Sequence, residues 1–244
     1  MSTLGAVFRR EFAAYFATPI AFVFLVIFLF SMGVFTFYVG HFYDNGIADL
    51  SLFFNYHPWL YLFLIPALAM RLWAEEKRSG SIELLLTLPI PVWATVLGKY
   101  LAAWVFAGLA LALTFPIWLT VIYLGHPDNG VILASYVGSF LMAGAYLSIG
   151  AAISSATSNQ VIAFVITLVA CFLFTVAGAP PVIDAFQGWA PVTLVDAVSS
   201  FSFLSHFTAI TAGVIDLRDV VFFTSLIALF LFANVLIVDS SKGG

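Results

Sequence analysis

The stretch EEKRSGSIELLLTLP, residues 75–89, packs Glu75, Glu76, Lys77, Arg78 and Glu83 together and then runs into Leu84, Leu85 and Leu86, in a chain that is only 8% charged. One charge at the centre of a membrane costs about 3 kcal/mol on insertion scales, so five cost on the order of 15 kcal/mol. Residues 75–83 therefore belong in water. The apolar run behind them, 82–88, is far too short to span a bilayer, and Pro89 and Pro91 end any helix there. Gly80 lets the chain break, Ser79 and Ser81 are candidate caps, and Glu83 falls in a first turn, where a carboxylate complements the helix dipole. The spacing predicts a short helix over 81–88, held outside the membrane with one apolar face. That face must be buried, either against this protein's own helix ends and the lipid headgroups or against a soluble partner.

The rest of the 244 residues sets the context. Apolar residues make up 63% of the chain, with 27 Phe, 6 Trp and 9 Tyr, and the mean hydropathy is +1.12. A soluble domain carries about a quarter charged residues, so this chain has too little polar surface for water. Six segments approach the roughly 20 apolar residues that a 30 Å hydrocarbon core requires: 20–40, 50–73, 101–124, 131–153, 161–178 and 220–238. Backbone groups in lipid must be satisfied within the segment, so these are helices, and no alternating ten-residue strands suggest a barrel. The fold class is all-α integral membrane, one transmembrane domain over residues 1–244.

Charge placement orients the bundle. Arg9 and Arg10 precede the first span, Arg71, Lys77, Arg78 and Lys99 lie between the second and third, and Lys242 follows the sixth. All fall on one side, which the positive-inside rule makes cytoplasmic, with both termini inside. Arg218 alone falls opposite, while Asp44, Asp49, Asp128, Asp184 and Asp196 are all expected outside.

The connections differ in character. Asp44-Asn45-Gly46 and residues 126–130 (HPDNG) contain turn formers, and 154–159 reads as a short polar turn inside. Residues 179–217 are too apolar for a solvated loop and are expected to form short helices dipping into the outer leaflet or capping the bundle. Leu4, Phe8, Phe12, Tyr15 and Phe16 recur at helical spacing, predicting an amphipathic helix on the inner membrane surface that turns into the bilayer near Thr18-Pro19. Arg9-Arg10 is superficially like a twin-arginine export signal. The apolar run after it is too long and lacks a small-x-small cleavage site, so it reads as an uncleaved span.

Several chemistries find no support. No basic patch or stacking platform suggests nucleic-acid binding, and Cys171, the single cysteine, excludes an intramolecular disulfide or C-x-x-C site. The histidines, His41, His57, His126 and His206, are expected outside or near the outer interface. Their spacing matches no metal-ligand motif, so interfacial hydrogen bonding is the better reading and no metal is expected. Neither a protease dyad nor H-E-x-x-H is present, and no catalytic residue is proposed. The third to fifth spans hold no Asp, Glu, His, Lys or Arg in their cores, which argues against an ion-coupled carrier. Gly144, Ser148 and Ala152, four apart, give a smooth face for close helix approach, read as packing within the subunit with a dimer seam as the alternative.

Residues 66–103 (PALAMRLWAEEKRSGSIELLLTLPIPVWATVLGKYLAA) closely resemble the segment after the second span in ABC-2 type transporter permeases, the membrane subunits of ATP-driven exporters. Residues 9–24 (RREFAAYFATPIAFVF) are similar to that family's interfacial connector and first span. Residues 203–223 (FLSHFTAITAGVIDLRDVVFF) are similar to the approach to its last span, with Ala212 standing where relatives often carry a basic residue. The likeness is greatest to the subgroup of gliding-motility-associated and nitrous-oxide-reductase-maturation permeases.

The resemblance implies that Glu75, Glu76, Lys77, Arg78, Gly80, Ser81, Glu83, Leu84, Leu85 and Leu86 form the surface that receives the movement of a cytoplasmic ABC ATPase, present in two copies. Charges would supply register and the apolar face affinity. It also implies a second membrane subunit, identical or related, and a multi-pass place in the bacterial inner membrane. No G-x-x-x-x-G-K-[ST] phosphate loop occurs in these residues, so ATP and Mg are expected on the partner chain and none on this one. The expected function is export or extraction of a lipid-linked or amphipathic substrate, or mechanotransmission across the membrane, without enzymatic activity of its own. The alternative is a membrane scaffold docking a non-ATPase cytosolic partner.

Overall fold

A computed structural model describes residues 3–241 except 45, 47, 88, 188 and 189, and does not describe the side chains of Ile20, Leu84, Leu86, Phe186 and Gln187. Asn45 of the expected turn, Leu88 of the expected short helix and Lys242 thus lie outside the described residues. All regular elements among the described residues are helical.

The chain begins with α1 (Thr3–Ala17). The ring of Pro19 pushes the preceding residue out of the helical region, and Thr18 is accordingly extended at φ −116°, ψ 141°. Pro19, which has no N–H to satisfy, opens α2 (Pro19–Gly33), and the helix runs on through a π-helical stretch, Val34–Val39.

The expected second span, 50–73, is not one helix. It divides into α3 (Ser51–Asn55), α4 (His57–Ala69) and α5 (Arg71–Ser79). Pro66 lies inside α4 and cannot donate to the ladder, and the chain breaks at Met70. Ser154 of a later helix closes that break: its hydroxyl accepts from the N–H groups of Trp73 and Ala74, both at 3.1 Å, and donates to the Met70 carbonyl at 2.9 Å. Three backbone groups that a helix junction would leave unpaired are satisfied by one side chain.

After α6 (Ser81–Thr87), α7 (Val92–Ala112) starts directly behind Pro91, well before the expected residue 101. It continues into α8 (Phe115–Leu124) across a kink at Leu113-Thr114, with Pro116 in the first turn of α8. Lys99, expected in a loop, is therefore a helical residue. α9 (Asn129–Ala156) is capped by Asp128, whose carboxylate accepts from Gly130 N at 2.8 Å and Val131 N at 3.2 Å. α10 (Gln160–Val176) is capped in the same way by Asn159.

Residues 179–216 carry three short helices, α11 (Pro180–Gln187), α12 (Val192–Ser200) and α13 (Phe203–Thr211), before α14 (Leu217–Ser240). α13 buries Phe203, Phe207 and Ile210, whereas α12 buries nothing and leaves Val192 and Leu194 exposed. The central element is α9, packed by α4, α5, α7, α10, α13 and α14.

Four stretches are long and apolar enough to cross a membrane: Ala21–Val39, Val92–Leu124, Asn129–Ala156 and Leu217–Ser240. They contain the expected spans 101–124, 131–153 and 220–238 and nearly all of 20–40. α10, on the expected span 161–178, is apolar but has 17 residues.

Candidate coupling site

The charged stretch folds as two helices joined at a glycine. α5 turns Leu72, Trp73 and Ala74 into the protein and leaves Arg78 and Ser79 exposed. Gly80 ends it at φ 72°, a left-handed conformation that costs a side-chain-bearing residue about 1–2 kcal/mol. Ser79 and Ser81, expected as caps, lie 2.9 Å apart, hydroxyl to hydroxyl, so that one donates to the other while the other donates to the Glu76 carbonyl, 3.3 Å from Ser79 and 3.5 Å from Ser81, closing the end of α5. Glu83 lies in the first turn of α6, as expected, and is exposed.

The apolar face of α6 is partly used within the chain. Ile82 and Leu85 are buried in the core, 8% and 9% exposed, and α6 packs on α5. Among the described side chains of this hairpin, Arg78, Ser79, Ser81, Glu83 and Thr87 are exposed, as is Gly80. Leu84 and Leu86 belong to α6, and their side chains lie outside what is described.

Beneath the hairpin is a buried charge cluster. Lys99 of α7, 3% exposed, places its Nζ 2.7 Å from Glu76 Oε1 and 3.3 Å from Glu11 Oε2 of α1, 5.3 Å from the centre of the Trp73 ring. One ammonium thus joins three helices. Burial pushes the Glu11 carboxyl up, but Lys99 and Arg10 outweigh it and hold it below its ordinary value. Arg71 and Glu75, one turn apart, form a two-bond pair at 2.8 and 3.0 Å. Lys77 donates to Ser241 at 3.4 Å, which brings α5 to the C-terminal end of α14.

α1 is pressed on this cluster. A Cβ at Gly98 would lie 2.6 Å from Val7, so only glycine permits the approach, and Tyr15 stacks on Phe106 at 4.8 Å. Lys99 and Glu11 are site members that sequence reasoning missed. The available signal was a lone lysine among apolar residues (VLGKYLAA), whose burial demands carboxylate partners.

The remaining predicted positions lie elsewhere. Gly144 receives the Tyr100 hydroxyl on its carbonyl at 3.1 Å, and a Cβ there would meet Trp104 at 2.7 Å, so α9 and α7 touch closely at this point. Ser148 and Ala152 are also buried within the single chain.

The histidines do not converge. His41 pairs with Asp44 at 3.1 Å on the surface, and His126 is exposed. His57, expected near the outer boundary, is fully buried among Phe53, Phe54 and Tyr61, with Nδ1 2.6 Å from Ser139 Oγ. His206 is also buried, with Nδ1 2.5 Å from Asp219 Oδ1 and Nε2 2.9 Å from the Ser200 carbonyl. Among the described residues, no three His, Cys, Asp or Glu side chains are placed to hold a metal ion.

Residues 39–238 match the family model for ABC-2 family transporter protein. The chain is 34% identical over 102 residues to heme exporter protein B of Rhodobacter capsulatus, covering 38% of this chain and 45% of that one. It is 37% identical over 65 residues to heme exporter protein B of Paracoccus denitrificans, covering 27% and 30%. The chain thus spans less than half the length of these relatives. Together with its apolar helices, the family match makes this a multi-pass inner-membrane protein, and the chain belongs to the ABC-2 family of transporter proteins.

Proposed function

We propose that this chain is the membrane subunit of an ATP-driven exporter, and that the α5–α6 hairpin receives the motion of a separate cytoplasmic ABC ATPase. The observation that carries this reading is the Lys99 cluster. A surface hairpin that merely anchored the chain would need no buried ammonium gripping Glu76 of α5 and Glu11 of α1 from the body of α7. Such a cluster makes α1, α5 and α7 move as one piece. A push on Arg78, Ser81 or Glu83 then reaches the long helix α7 and, through Ser154, the central helix α9.

The reading includes six spans, with the broken α3–α4–α5 unit and α10 as the two beyond the four long ones, and with both termini and the hairpin cytoplasmic. The packing supports this sidedness, since Glu11, Glu76, Lys77, Lys99 and Ser241 meet at one end. ATP is bound and hydrolysed by the partner, in two copies, and a second membrane subunit, identical or related, completes the path. The substrate is lipid-linked or amphipathic. Heme, part of the name of both relatives, is an apolar ring with carboxylates and falls in this class. The chain itself has no enzymatic activity.

The rival is a scaffold that docks a non-ATPase protein through the same hairpin. Isolating the chain from its native membrane separates the two. The permease reading expects an ABC ATPase to accompany it and Glu76→Lys to abolish transport. A preparation with no ATPase and a fully active Glu76→Lys variant would reject it.

A further inference from the structure

At the end of α14 remote from the Lys99 cluster, both nitrogens of one buried imidazole meet acceptors. His206 of α13, 6% exposed, has Nδ1 2.5 Å from Asp219 Oδ1 in the first turn of α14, and Nε2 2.9 Å from the Ser200 carbonyl at the end of α12. Phe222, one turn on from Asp219, stacks on the ring at 4.0 Å and fixes its plane. Ser241, beyond the other end of α14, is the residue that meets Lys77. The helix between Asp219 and Ser241 rises by about 33 Å, so the imidazole and the coupling site lie at opposite ends of the molecule.

A neutral imidazole carries one N–H and cannot donate to two acceptors. A bare ring nitrogen at either contact would set its lone pair against that of an oxygen. The geometry therefore requires two protons on the pair: one on Nε2, and one between Nδ1 and Asp219, on whichever side of that contact it sits. The face of Phe222 favours a positive ring. Little else nearby is charged. Of the helices packed on α13, α3, α9 and α10 contain no Asp, Glu, Lys, Arg or His, and their titratable side chains, Tyr136, Tyr146 and Cys171, are of types uncharged near neutrality. The other charged groups at this end, Asp216 and Arg218 beside Asp219 and Asp196 on α12, are exposed to solvent.

The bond to Ser200 matters because α12 buries no residue and packs chiefly on its neighbour α11. The Ser200 carbonyl is also among the last four of a helix, which have no intrahelical partner. We propose that His206 and Asp219 form a proton-operated latch. With both protons in place the pair clamps the end of α12 to α14. Loss of one sets a lone pair against the Ser200 carbonyl, and α12 comes away from the bundle. The closed form holds the extra proton, so closure is favoured as pH falls and lost as pH rises. Imidazole is the side chain that makes this exchange nearest neutrality. On the sidedness proposed above the latch senses the extracytoplasmic medium, but the clamp itself does not depend on that reading.

The test uses the full-length protein in detergent, with a nitroxide label on Asp196→Cys in α12 or, as a control, on Glu83→Cys at the opposite end. Cys171 is fully buried and stays unlabelled. Label mobility is read by electron paramagnetic resonance. Between about pH 6 and about pH 9 the mobile fraction at 196 should rise roughly fivefold, the equivalent of about one hydrogen bond, with no change at 83. His206→Phe, which keeps a ring against Phe222, should be mobile at both values. In Asp219→Asn the amide donates to Nδ1 of a neutral imidazole whose Nε2–H serves Ser200, so α12 should stay held at both. A merely structural ion pair predicts loosening in that variant instead. Equal mobility at 196 across the range in the parent, a parallel rise at 83, a held α12 in His206→Phe, or an Asp219→Asn protein that is loose or still responds to pH overturns the proposal.

Discussion

Lys99 Nζ lies 2.7 Å from Glu76 Oε1, an ion pair made inside the protein between the first half of α7 and α5. Removing one partner of a buried pair leaves the other charge uncompensated, which costs about 3–5 kcal/mol. Lys99→Met should therefore lower stability by about 3 kcal/mol in unfolding titrations of the detergent-solubilised protein. Adding Glu76→Gln and Glu11→Gln to Lys99→Met should restore part of the loss. A triple variant no more stable than Lys99→Met would mean that the charges do not act as a unit.

Glu11 supplies a pH dependence with a definite sign. Its carboxyl is held below its ordinary value of 4.5 by Lys99 and Arg10 acting against burial. A carboxyl depressed on folding contributes stability that is fully present above the unfolded value and disappears as pH falls through the folded one. The attachment of α1 should therefore loosen on acidification below about 4.5, followed by hydrogen exchange over Thr3–Ala17. In Glu11→Gln the protection of α1 should be lower at neutral pH and flatter across that acidic window.

Ser154 joins α9 to the break between α4 and α5 through three backbone groups. Ser154→Ala leaves two N–H donors and one carbonyl without this partner in a buried place, and each orphaned group costs about 1–3 kcal/mol. The variant should melt lower by a margin equivalent to at least about 2 kcal/mol. Ser148→Ala, whose hydroxyl only bonds back to Ala145 at 2.8 Å, is the matched control and should change little.

Gly80 can be tested without a steric confound, because a Cβ there meets nothing within 4 Å. Any loss in Gly80→Ala then reflects the left-handed backbone alone, about 1 kcal/mol. Gly80→Asn, which tolerates that conformation, should lose less. If Gly80→Ala is as stable as the parent, the α5–α6 junction does not require the observed turn.

How much of this was legible depended on whether a signal was local. Pro19, Gly80 and Pro91 mark boundaries because each restricts or frees its own backbone, and each stands where the corresponding helix starts or stops. Thr18-Pro19 was readable as a turn for the same reason. Lys99 was not readable as a core residue, because the partners that make its burial tolerable lie on α1 and α5, far along the chain. α7 therefore extends ahead of the expected span 101–124, because the charge of Lys99 is met inside the protein. The division of 50–73 likewise depends on Ser154, which belongs to α9 although its own sequence neighbourhood, 154–159, reads as a polar turn. The burial of His57 depends on one hydroxyl distant in sequence, Ser139 Oγ, and on a cage of local rings that includes Phe53 and Phe54.

The surface proposed to meet the ATPase was legible in outline only. The short helix was expected to have one apolar face, buried against this chain or against a partner; Ile82 and Leu85 are buried within the chain, and Arg78, Ser81 and Glu83 are exposed. A contact that includes Arg78 and Glu83 would be salt-sensitive, since exposed charges are screened within about 10 Å at 0.1 M salt.

The most direct measurement is site-specific photocrosslinking from this surface. A photoreactive residue at Glu83 or Thr87, and a control at Asp184 in α11, would be introduced into the chain in its native membrane. Crosslinks from 83 and 87, but not from 184, to an ABC ATPase subunit, changing in yield when ATP is trapped on it, are the predicted result. Crosslinks from 83 and 87 only to lipid or to this chain itself would contradict the account.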